Sequence, residues 1–452
     1  MNILFLPIEI KTREFFPKLF LISRALKKNI DCFIGDKIAV NRAIRYFKKG
    51  VYFHKSINKK DKEYILDIKS KVDTYISLDE EFGFATTNKK QLKNYLDIRS
   101  SYENVKNVDR IYNWGKFDQS VWKKKYSSFT NKFLISGSPR LDIWKKKIYS
   151  VIFKNEIHDL KKKYKKFIFI PSTFISSKKK LNQMIKVEKQ MTKKKELLKK
   201  RINAKIFEFK LFNEFLKLIR LLSRDFSDLN IVIKPHPTED PKDWIKNTNK
   251  YKNVYIDTKF ELTPYIAAAE LVIFNSSISG IQSVLMNKKT ICYSTLRQKD
   301  SLRSFPNKFG IICKSYNKLK KIIRINLKNN FNVNLKEIKK RIYISKKYSS
   351  DIILDDLIKN FRFNKKSNNK RNLIFFRVNS ILFKIDNFLN TIFKYKINNK
   401  IELNQPLQTM KEKLGTGINK NEIDLFFKKI HYSEYKTLSY GKNGYLIYNC
   451  KK

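Results

Sequence analysis

Short apolar runs alternate with amphipathic stretches along most of the chain, and this alternation predicts its secondary structure. In the first part of the chain, strands are expected at residues 2–6, 31–34, 74–78, 110–114 and 133–136. Apolar residues at helical spacing predict helices between these strands, for example at residues 14–28 and 40–48. Strands that alternate with helices in this way indicate a doubly wound α/β sheet.

A second cycle of strands and helices follows the first. Its strands are expected at residues 166–171, 230–234, 253–256, 271–274, 290–293 and 311–313. Two long basic helices, near residues 180–200 and 203–224, resemble an insertion into this second cycle. We therefore predict a Rossmann-like domain at residues 1–155, a second at 156–362 with a helical insertion at about 180–224, and a basic, helical C-terminal extension of unknown role at 363–452.

Composition supports a globular protein with an excess of positive charge. The chain has 452 residues, of which 42% are hydrophobic, so it can bury a sizeable core. Lys and Arg number 98 against 41 acidic residues, a net charge of +57. The excess is spread along the chain without the Arg-rich or aromatic signatures of nucleic-acid folds. We therefore expect an anionic membrane surface as a partner, and no nucleic acid.

The sequence also predicts a location and excludes some chemistry. The four cysteines are widely spaced and form no zinc motif, so no structural zinc is expected. No Asp-x-Asp stands where a diphosphate metal site would need one, and neither a metal nor a cofactor is expected. No apolar run reaches 18 residues, and the apolar N-terminus is too short for a signal peptide. Residues 373–397 have apolar residues at roughly helical spacing among lysines, which suits either a helix on a membrane or one packed on the main body. We expect a cytoplasmic protein, peripheral on the inner face of the inner membrane.

Two predicted strands end in polar residues that suit an anion. After residues 231–233 come Lys234 and His236, each followed by a proline. After residues 271–274 come Ser276 and Ser277. A helix is expected to begin just beyond them, and a helix N-terminus attracts phosphate. Ligands of open α/β sheets bind outside the carboxyl ends of the strands. Together the two segments predict one site for a phosphate-bearing ligand, most simply a nucleotide.

Several segments resemble the bacterial surface carbohydrate biosynthesis protein family, whose members are GT-B-type glycosyltransferases. The residues that carry this resemblance are Glu9 and Arg13, Asp79-Glu80-Glu81, Asn113-Trp114-Gly115, Gly137 to Asp142, Lys234 to Glu239 and Asn275-Ser276-Ser277. The chain is also similar to capsular Kdo transferases and polysialyltransferases. The resemblance implies a GT-B-like fold in which two Rossmann-like domains face each other across a cleft. It covers roughly residues 1–320.

The resemblance further implies a metal-independent transfer of a sugar from a CMP-linked donor to a glycan or glycolipid acceptor. An acidic residue would serve as the base, and His-Pro and Ser-Ser would hold the nucleotide. Here Phe82 separates the acids from Gly83, which departs from the family pattern and leaves the base open between Glu80 and Glu81. His236 is expected to hydrogen-bond or protonate the departing phosphate.

The remaining site residues divide into two groups. The donor group consists of Lys234, Pro237, Glu239, Asn275, Ser276, Ser277, Ser279 and Gly280, with Glu239 on a ribose hydroxyl. An acceptor or anion group consists of Glu9, Arg13 and Arg140. For this second group, structural ion pairs are an open alternative: Arg13 with Glu9, and Arg140 with Asp142. The histidines at 54, 158 and 431 are read as ordinary surface or core residues.

Three other functions are compatible with the same motifs. The first is a CDP-glycerol-type polyol phosphate transferase, which has similar His-Pro and Ser-Ser features. The second is a sugar-nucleotide epimerase of the same two-domain architecture, which needs no acceptor. The third is a non-catalytic basic scaffold at a membrane surface. Loss of turnover in alanine variants of Glu81 and His236 would separate an enzyme from a scaffold.

Overall fold

The chain consists of two compact units, each built around its own sheet. The computed structural model describes residues 3–47, 49–80, 88–192, 195–237, 239–296, 305–328, 335–361, 378, 381–382, 385, 414–415, 417–440 and 443–450. Unit 1 comprises residues 1–83, 89–143 and 339–452, and unit 2 comprises residues 84–88 and 144–338.

The strands and helices are numbered along the chain. The strands are β1 (Ile3–Ile8), β2 (Asp31–Asp36), β3 (Val51–His54), β4 (Thr74–Leu78), β5 (Arg110–Asn113), β6 (Phe133–Ile135), β7 (Phe167–Pro171), β8 (Asn230–Lys234), β9 (Val254–Ile256), β10 (Leu271–Phe274), β11 (Thr290–Tyr293), β12 (Ile311–Cys313), β13 (Tyr435–Ser439) and β14 (Gly444–Asn449). The helices are α1 (Lys11–Leu26), α2 (Lys37–Phe47), α3 (Lys62–Lys69), α4 (Lys89–Arg99), α5 (Tyr102–Asn107), α6 (Lys116–Lys125), α7 (Pro139–Ile143), α8 (Lys146–Ile152), α9 (Lys154–Tyr164), α10 (Lys178–Met191), α11 (Lys195–Asp225), α12 (Pro241–Thr248), α13 (Leu262–Ala268), α14 (Ile278–Leu285), α15 (Tyr316–Lys328), α16 (Lys336–Arg341), α17 (Ser349–Asn360) and α18 (Lys420–Lys429).

Unit 1 contains an eight-stranded sheet in the order β13-β14-β2-β1-β3-β4-β5-β6. The six strands from β2 to β6 are parallel, and β14 and β13 join the β2 edge as an antiparallel hairpin. The chain leaves β1 for β2 on one side and returns to β3 on the other side. The strand order therefore reverses between β1 and β3, which makes this gap the switch point where a doubly wound sheet binds ligands.

Unit 2 contains a six-stranded parallel sheet in the order β12-β11-β10-β7-β8-β9. The chain runs outward from β7 through β8 to β9 and then crosses back to place β10 on the other side of β7. The switch point of unit 2 therefore lies between β7 and β10. Both sheets follow the Rossmann-like pattern, so the predicted α/β class with two doubly wound units is confirmed.

The helix pair that looked like an insertion belongs in part to the core. Helix α11 has 31 residues, and its second half buries Phe207, Leu211, Phe215 and Leu218 against the apolar face of the sheet. This half is the crossover between β7 and β8 that a parallel pair of strands requires. Only α10 and the first turns of α11 extend beyond that core. The interpretation as an insertion was wrong for the rest of α11.

The unit boundaries and the C-terminal extension also differ from the sequence prediction. The first break falls between residues 143 and 144, and α17 joins unit 1. Strand β3 and the hairpin β13–β14 were not predicted. The extension was expected to be helical, but its described part adds two strands to the sheet of unit 1 beside α18. The physical reason is that β14 covers the edge of β2, which would otherwise leave backbone groups unpaired.

The predicted amphipathic segment at 373–397 lies almost entirely outside the described residues. The few described positions in it, 378, 381, 382 and 385, are apolar and exposed. Among the helices that the structure describes, none combines the length and apolar character needed to span a bilayer. The free cysteines Cys32, Cys292 and Cys313 are buried, and Cys450 is exposed.

Candidate functional site

The switch point of unit 2 is bordered by the polar segment that follows β10. Asn275 donates to the backbone oxygen of Tyr293, the last residue of β11, at 2.6 Å. Asn307, beyond β11, accepts from the backbone N–H of Ser276 at 2.6 Å and donates to the side-chain oxygen of Asn275 at 2.9 Å. Ser276 has a positive φ of 52°, a conformation that non-glycine residues adopt rarely and that often marks functional turns. These bonds hold the turn rigidly at the edge of the sheet.

Ser277 caps the helix that begins at this turn. Its hydroxyl oxygen accepts from the backbone N–H of Ser279 at 3.3 Å and from the hydroxyl of Ser279 at 2.7 Å. The hydroxyl hydrogen of Ser277 has no acceptor among the described residues. The N-terminus of α14 therefore offers one hydroxyl donor, and its positive dipole end points to the carboxyl edge of the sheet.

Gly280 serves packing. A Cβ atom at this position would come within 2.1 Å of the ring of Phe274, the last residue of β10. The glycine thus lets α14 lie directly against the strand, as the third glycine of dinucleotide-binding turns does. Its contribution to an anion site is to bring the first turn of the helix to the sheet edge.

Lys234 is the last residue of β8 and lies on the other side of β7. Its ammonium is 5.1 Å from the centre of the Tyr265 ring, and no carboxylate within the described residues forms an ion pair with it. Burial lowers its pKa to about 8, although Glu261 and Asp257 act in the opposite direction. A desolvated lysine without an ion-pair partner is strongly stabilised by an anion that enters from solvent.

Glu239 orders the loop after β8, and its carboxylate is not exposed to a ribose hydroxyl. Its carboxylate accepts from the backbone N–H of Phe174 at 2.9 Å, from the indole of Trp244 at 2.9 Å and from the hydroxyl of Ser172. The backbone N–H of His236 is 3.4 Å from the same carboxylate. Glu239 thus fixes the loop on which the side chain of His236 and Pro237 are exposed.

In unit 1, Glu80 and Arg140 meet at the carboxyl edge of the sheet. Arg140 donates to the backbone oxygen of Glu80 at 3.1 Å. The Glu80 side chain is 8% exposed, and its Oε2 has no hydrogen-bond partner. Burial raises the pKa of Glu80, opposed by Arg140, Lys18 and Arg13. A raised pKa makes the carboxylate a stronger base. The other candidate base, Glu81, lies outside the described residues.

Glu9 and Arg13, the remaining predicted residues of this edge, each lie beside a residue of opposite charge. Glu9 pairs with Lys55. Arg13 lies 3.6 Å from a carboxylate oxygen of the buried Glu14, which also binds Lys18 at 2.9 Å. Glu9 follows β1 and Glu80 follows β4, so both lie at the carboxyl edge of the same parallel sheet. Glu9 and Arg13 both contact Glu14, and Arg140 contacts Glu80.

The other quoted motifs of unit 1 have structural roles. Asp142 accepts from the backbone N–H groups of Ser349 and Ser350 at 2.9 Å each, so it caps α17. Trp114 donates its indole N–H to the backbone oxygen of Asp79 at 2.7 Å. A Cβ on Gly115 would lie 2.1 Å from the backbone oxygen of Arg341. These contacts position the loops of the edge.

Sequence reasoning missed three residues at the unit 1 switch point. They are Lys37, at the start of α2, His54, at the end of β3, and Lys55, which follows it. No sequence signal marked them, because β3 was not predicted and a lysine is unremarkable in so basic a chain. Among the described residues, no group of three or more His, Cys, Asp or Glu side chains is placed to hold a metal ion.

Comparisons with known proteins give a distant likeness of fold. No family model matches this chain, and no curated protein matches it in sequence. Similar solved structures include the UDP-GlcNAc 2-epimerase from Neisseria meningitidis bound to UDP-GlcNAc, with 12% identity, a TM-score of 0.47, and coverage of 80% of this chain and 100% of that one. A putative UDP-N-acetylglucosamine 2-epimerase from Listeria monocytogenes has 10% identity, a TM-score of 0.49 and coverage of 80% and 97%.

The wall teichoic acid polymerase TagF is a third similar structure, with 10% identity, a TM-score of 0.43, and coverage of 80% of this chain and 89% of that one. Identities and TM-scores as low as these do not assign an activity to this chain. The narrower resemblance to Kdo transferases and polysialyltransferases stays an expectation from the sequence. The class of protein that fold and site define is an α/β protein of two Rossmann-like units, with an edge in unit 2 suited to phosphate.

Proposed function

We propose that this chain is an enzyme of cell-surface carbohydrate synthesis that binds a nucleotide-activated substrate through unit 2. One observation carries the proposal: Lys234 is desolvated without an ion-pair partner at the same sheet edge where α14 presents its capped N-terminus. The ends of β8 and β10 flank β7 and are about 10 Å apart, two strand spacings. This span suits the phosphate part of a nucleotide between a cation and a helix dipole.

The reaction that we propose is transfer of the activated group. As the bond to the nucleotide breaks, negative charge grows on the leaving phosphate. Lys234, the hydroxyl of Ser277 and the α14 N-terminus stabilise this charge, and His236 donates a proton or a hydrogen bond to it. The resemblance in sequence assigns removal of the proton of the acceptor hydroxyl to Glu80 or Glu81 of unit 1. Because the stabilising groups are a cation and N–H or O–H donors, this mechanism uses no metal ion.

The identity of the nucleotide distinguishes the alternative functions of this chain. The resemblance in sequence suggests CMP, whereas the solved structures with a similar fold are described with UDP-GlcNAc or CDPG. The same phosphate contacts would hold the UDP part of a UDP-sugar, so a sugar-nucleotide epimerase is the second candidate. A CDP-linked polyol is the donor if the reaction is polyol phosphate transfer.

Partners and location follow from the same proposal. The acceptor is a glycan or glycolipid, and the net charge of +57 would hold the protein at an anionic membrane surface. Such a protein would work in the cytoplasm, peripheral on the inner face of the inner membrane.

The test is a thermal-shift panel with CMP, CDP, UDP and GDP on the wild type, Lys234→Met and Lys246→Met. A nucleotide at about 100 times its Kd adds about 2.7 kcal/mol to stability. We expect one nucleotide to raise the Tm of the wild type. Lys234→Met should weaken the binding of that nucleotide at least about tenfold, since the substitution removes a charge-assisted contact. Lys246 is exposed on α12, so its variant loses the same charge without touching the site.

Each outcome of the panel selects a function. Stabilisation by CMP supports a transferase of the Kdo or sialic-acid type, and stabilisation by CDP supports polyol phosphate transfer. Stabilisation by UDP supports a UDP-sugar epimerase or transferase. If no nucleotide raises the Tm, or if Lys246→Met loses as much affinity as Lys234→Met, the nucleotide site is refuted and the scaffold function takes its place.

A further inference from the structure

Lys37 lies at the switch point of unit 1 and forms no ion pair with a described carboxylate. It is the first residue of α2, so it stands where β2 ends at the carboxyl edge of the sheet. Its ammonium is 3.6 Å from the centre of the Tyr64 ring, and it forms no ion pair with any carboxylate of the described residues. Burial lowers its pKa, although Asp61 and Glu9 favour the charged form.

His54 and Lys55 border the same gap from the end of β3. Lys55 pairs with Glu9, which follows β1 on the other side of the switch point. His54 is buried, and its Nδ1 shares a hydrogen bond of 2.8 Å with the hydroxyl of Tyr75. Burial and the nearby Lys37 and Lys55 keep its pKa well below the usual value, so the imidazole is neutral and neither adds to nor offsets the charge of the lysines.

Two carboxylates of this edge, Glu14 and Glu9, are already engaged, and the buried Asp61 attracts Lys37 without forming an ion pair with it. Glu14 is bound to Lys18 and lies beside Arg13, and Glu9 is bound to Lys55. Lys37 therefore keeps a desolvated charge in a chain whose net charge is already +57, an arrangement that costs stability. Lys234 in unit 2 has the same features: an ammonium over a tyrosine ring, at a sheet edge, without an ion pair.

We propose that Lys37 and Lys55, at the switch point between β1 and β3, bind the anionic group of a second ligand, a carboxylate or phosphate on a sugar. This site is distinct from the nucleotide site of unit 2. The inference rests on the proposed function and refines it: an epimerase takes one substrate, whereas a transferase takes two. An anion site in unit 1 therefore favours transfer to an acidic or phosphorylated acceptor.

The experiment titrates the full-length protein with three sugars of similar size, glucuronate, glucose 6-phosphate and glucose, at constant ionic strength. We expect the wild type to bind at least one of the two anionic sugars and not glucose. Lys37→Met should weaken that binding at least about tenfold, which corresponds to about 1.4 kcal/mol. Comparison of the two anionic sugars tells whether carboxylate or phosphate is the recognised group.

Three control variants define the site. Lys93→Met removes an exposed charge from α4 of the same unit and should leave binding unchanged. Lys37→Arg keeps the charge and should retain more of the binding than Lys37→Met. Lys234→Met removes the nucleotide contact of unit 2 and should bind the anionic sugar like the wild type. If Lys37→Met does not fold, Lys55→Met provides the test, with an expected loss of at least about threefold.

A thermal melt separates binding from a structural role. Removal of a desolvated charge should keep or raise the Tm of Lys37→Met while binding is lost. The proposal is overturned if neither anionic sugar binds at millimolar concentration, or if Lys37→Met binds as well as Lys93→Met. Loss of binding in Lys234→Met would also overturn it, because both effects would then belong to one site. Failure of the nucleotide panel leaves this titration readable, so the two proposals fail separately.

Discussion

The buried carboxyl of Asp118 is a single residue that reduces the stability of this fold. It lies in the first turn of α6 and is fully buried. Neither carboxylate oxygen has a hydrogen bond of good geometry, and the backbone of Trp114 is the polar group that favours its charged form. Burial raises its pKa to about 8 against the influence of Arg341, and Asp79 adds to the rise. The side chain lines a small cavity together with Asn113, whose side-chain oxygen also lacks a hydrogen-bond partner. An acid in such a place is neutral through most of the physiological range.

The substitution Asp118→Asn should stabilise the protein increasingly as pH rises. The unfolded carboxyl has a pKa of about 4, so the folded wild type loses stability between about pH 4 and pH 8, where only the unfolded state releases its proton. The asparagine does not titrate. We expect a Tm difference in favour of Asp118→Asn that is small near pH 4 and largest near pH 8.

Melting curves across this pH range, with the exposed Asp228→Asn as the matched variant, provide the measurement. Asp228→Asn should follow the wild type at every pH. A difference for Asp118→Asn that is constant with pH would show that the carboxyl keeps an ordinary pKa.

At the scale of elements, strand β3 decides where unit 1 can bind a ligand. It has four residues, and its Val-Tyr-Phe-His composition gives no clear apolar run, so the sequence pattern did not predict it. It fits beside β1 because Gly50 precedes it with a φ of 132°. A Cβ at Gly50 would lie 2.5 Å from the backbone oxygen of Ile3. Without β3, the sequence could not locate the switch point or its residues His54 and Lys55.

The strands of unit 2 were easier to predict. Residues 230–234, 271–274, 290–293 and 311–313 were expected as strands and form β8, β10, β11 and β12 with the same bounds. Each is a short, continuous apolar or β-branched run in a parallel sheet. Strands β8, β10 and β11 are covered on both faces, which gives their pattern its strength, whereas Ile312 of the edge strand β12 is exposed. The partners of Ser276 and Glu239 could not be predicted, because Asn307 and Trp244 are brought to them only by the packing of loops.

The contact between α14 and β10 can be tested with Gly280→Ala. The new methyl group would collide with the ring of Phe274, so we expect a loss of about 1–3 kcal/mol in the free energy of unfolding. The helix must also move away from the strand, so nucleotide affinity should fall. Denaturant titration and the nucleotide panel measure the two effects.

The double variant Gly280→Ala, Phe274→Leu is the control for this collision. A smaller side chain at residue 274 relieves the clash, so the double variant should be more stable than the sum of the two single effects predicts. Additive effects would mean that the ring of Phe274 does not restrict residue 280.

At the scale of the whole molecule, the C-terminal residues complete the N-terminal sheet. Strand β14 pairs antiparallel with β2 through residues 444–447 and 32–35, and Leu446 and Tyr440 enter the core of unit 1. Lys11, at the start of α1, binds Glu422 of α18 at 2.6 Å. Residues more than 400 positions apart thus form one unit, and the fold of unit 1 depends on both ends of the chain.

This dependence predicts that Leu446→Ala is costly. Leu446 is fully buried, so its truncation should reduce the free energy of unfolding by about 2–5 kcal/mol. Leu425 on α18 is 49% exposed, so Leu425→Ala is the matched variant and should change stability by less than about 0.5 kcal/mol. Chemical denaturation of both variants is the measurement. Equal effects would show that the hairpin does not contribute to the core of unit 1.

The sequence by itself determined the α/β class, the two strand–helix cycles and the motifs at the ends of β8 and β10. It could do so because these features depend on local patterns of apolar residues and on the few residue types that suit an anion. Only the tertiary structure decided which strands are neighbours, where each switch point lies, and that Glu239 and Asp142 accept from backbone N–H groups. It alone brought Lys37, His54 and Lys55 to one gap. Strand order and long-range contacts depend on the packing of the whole chain, which no local pattern encodes.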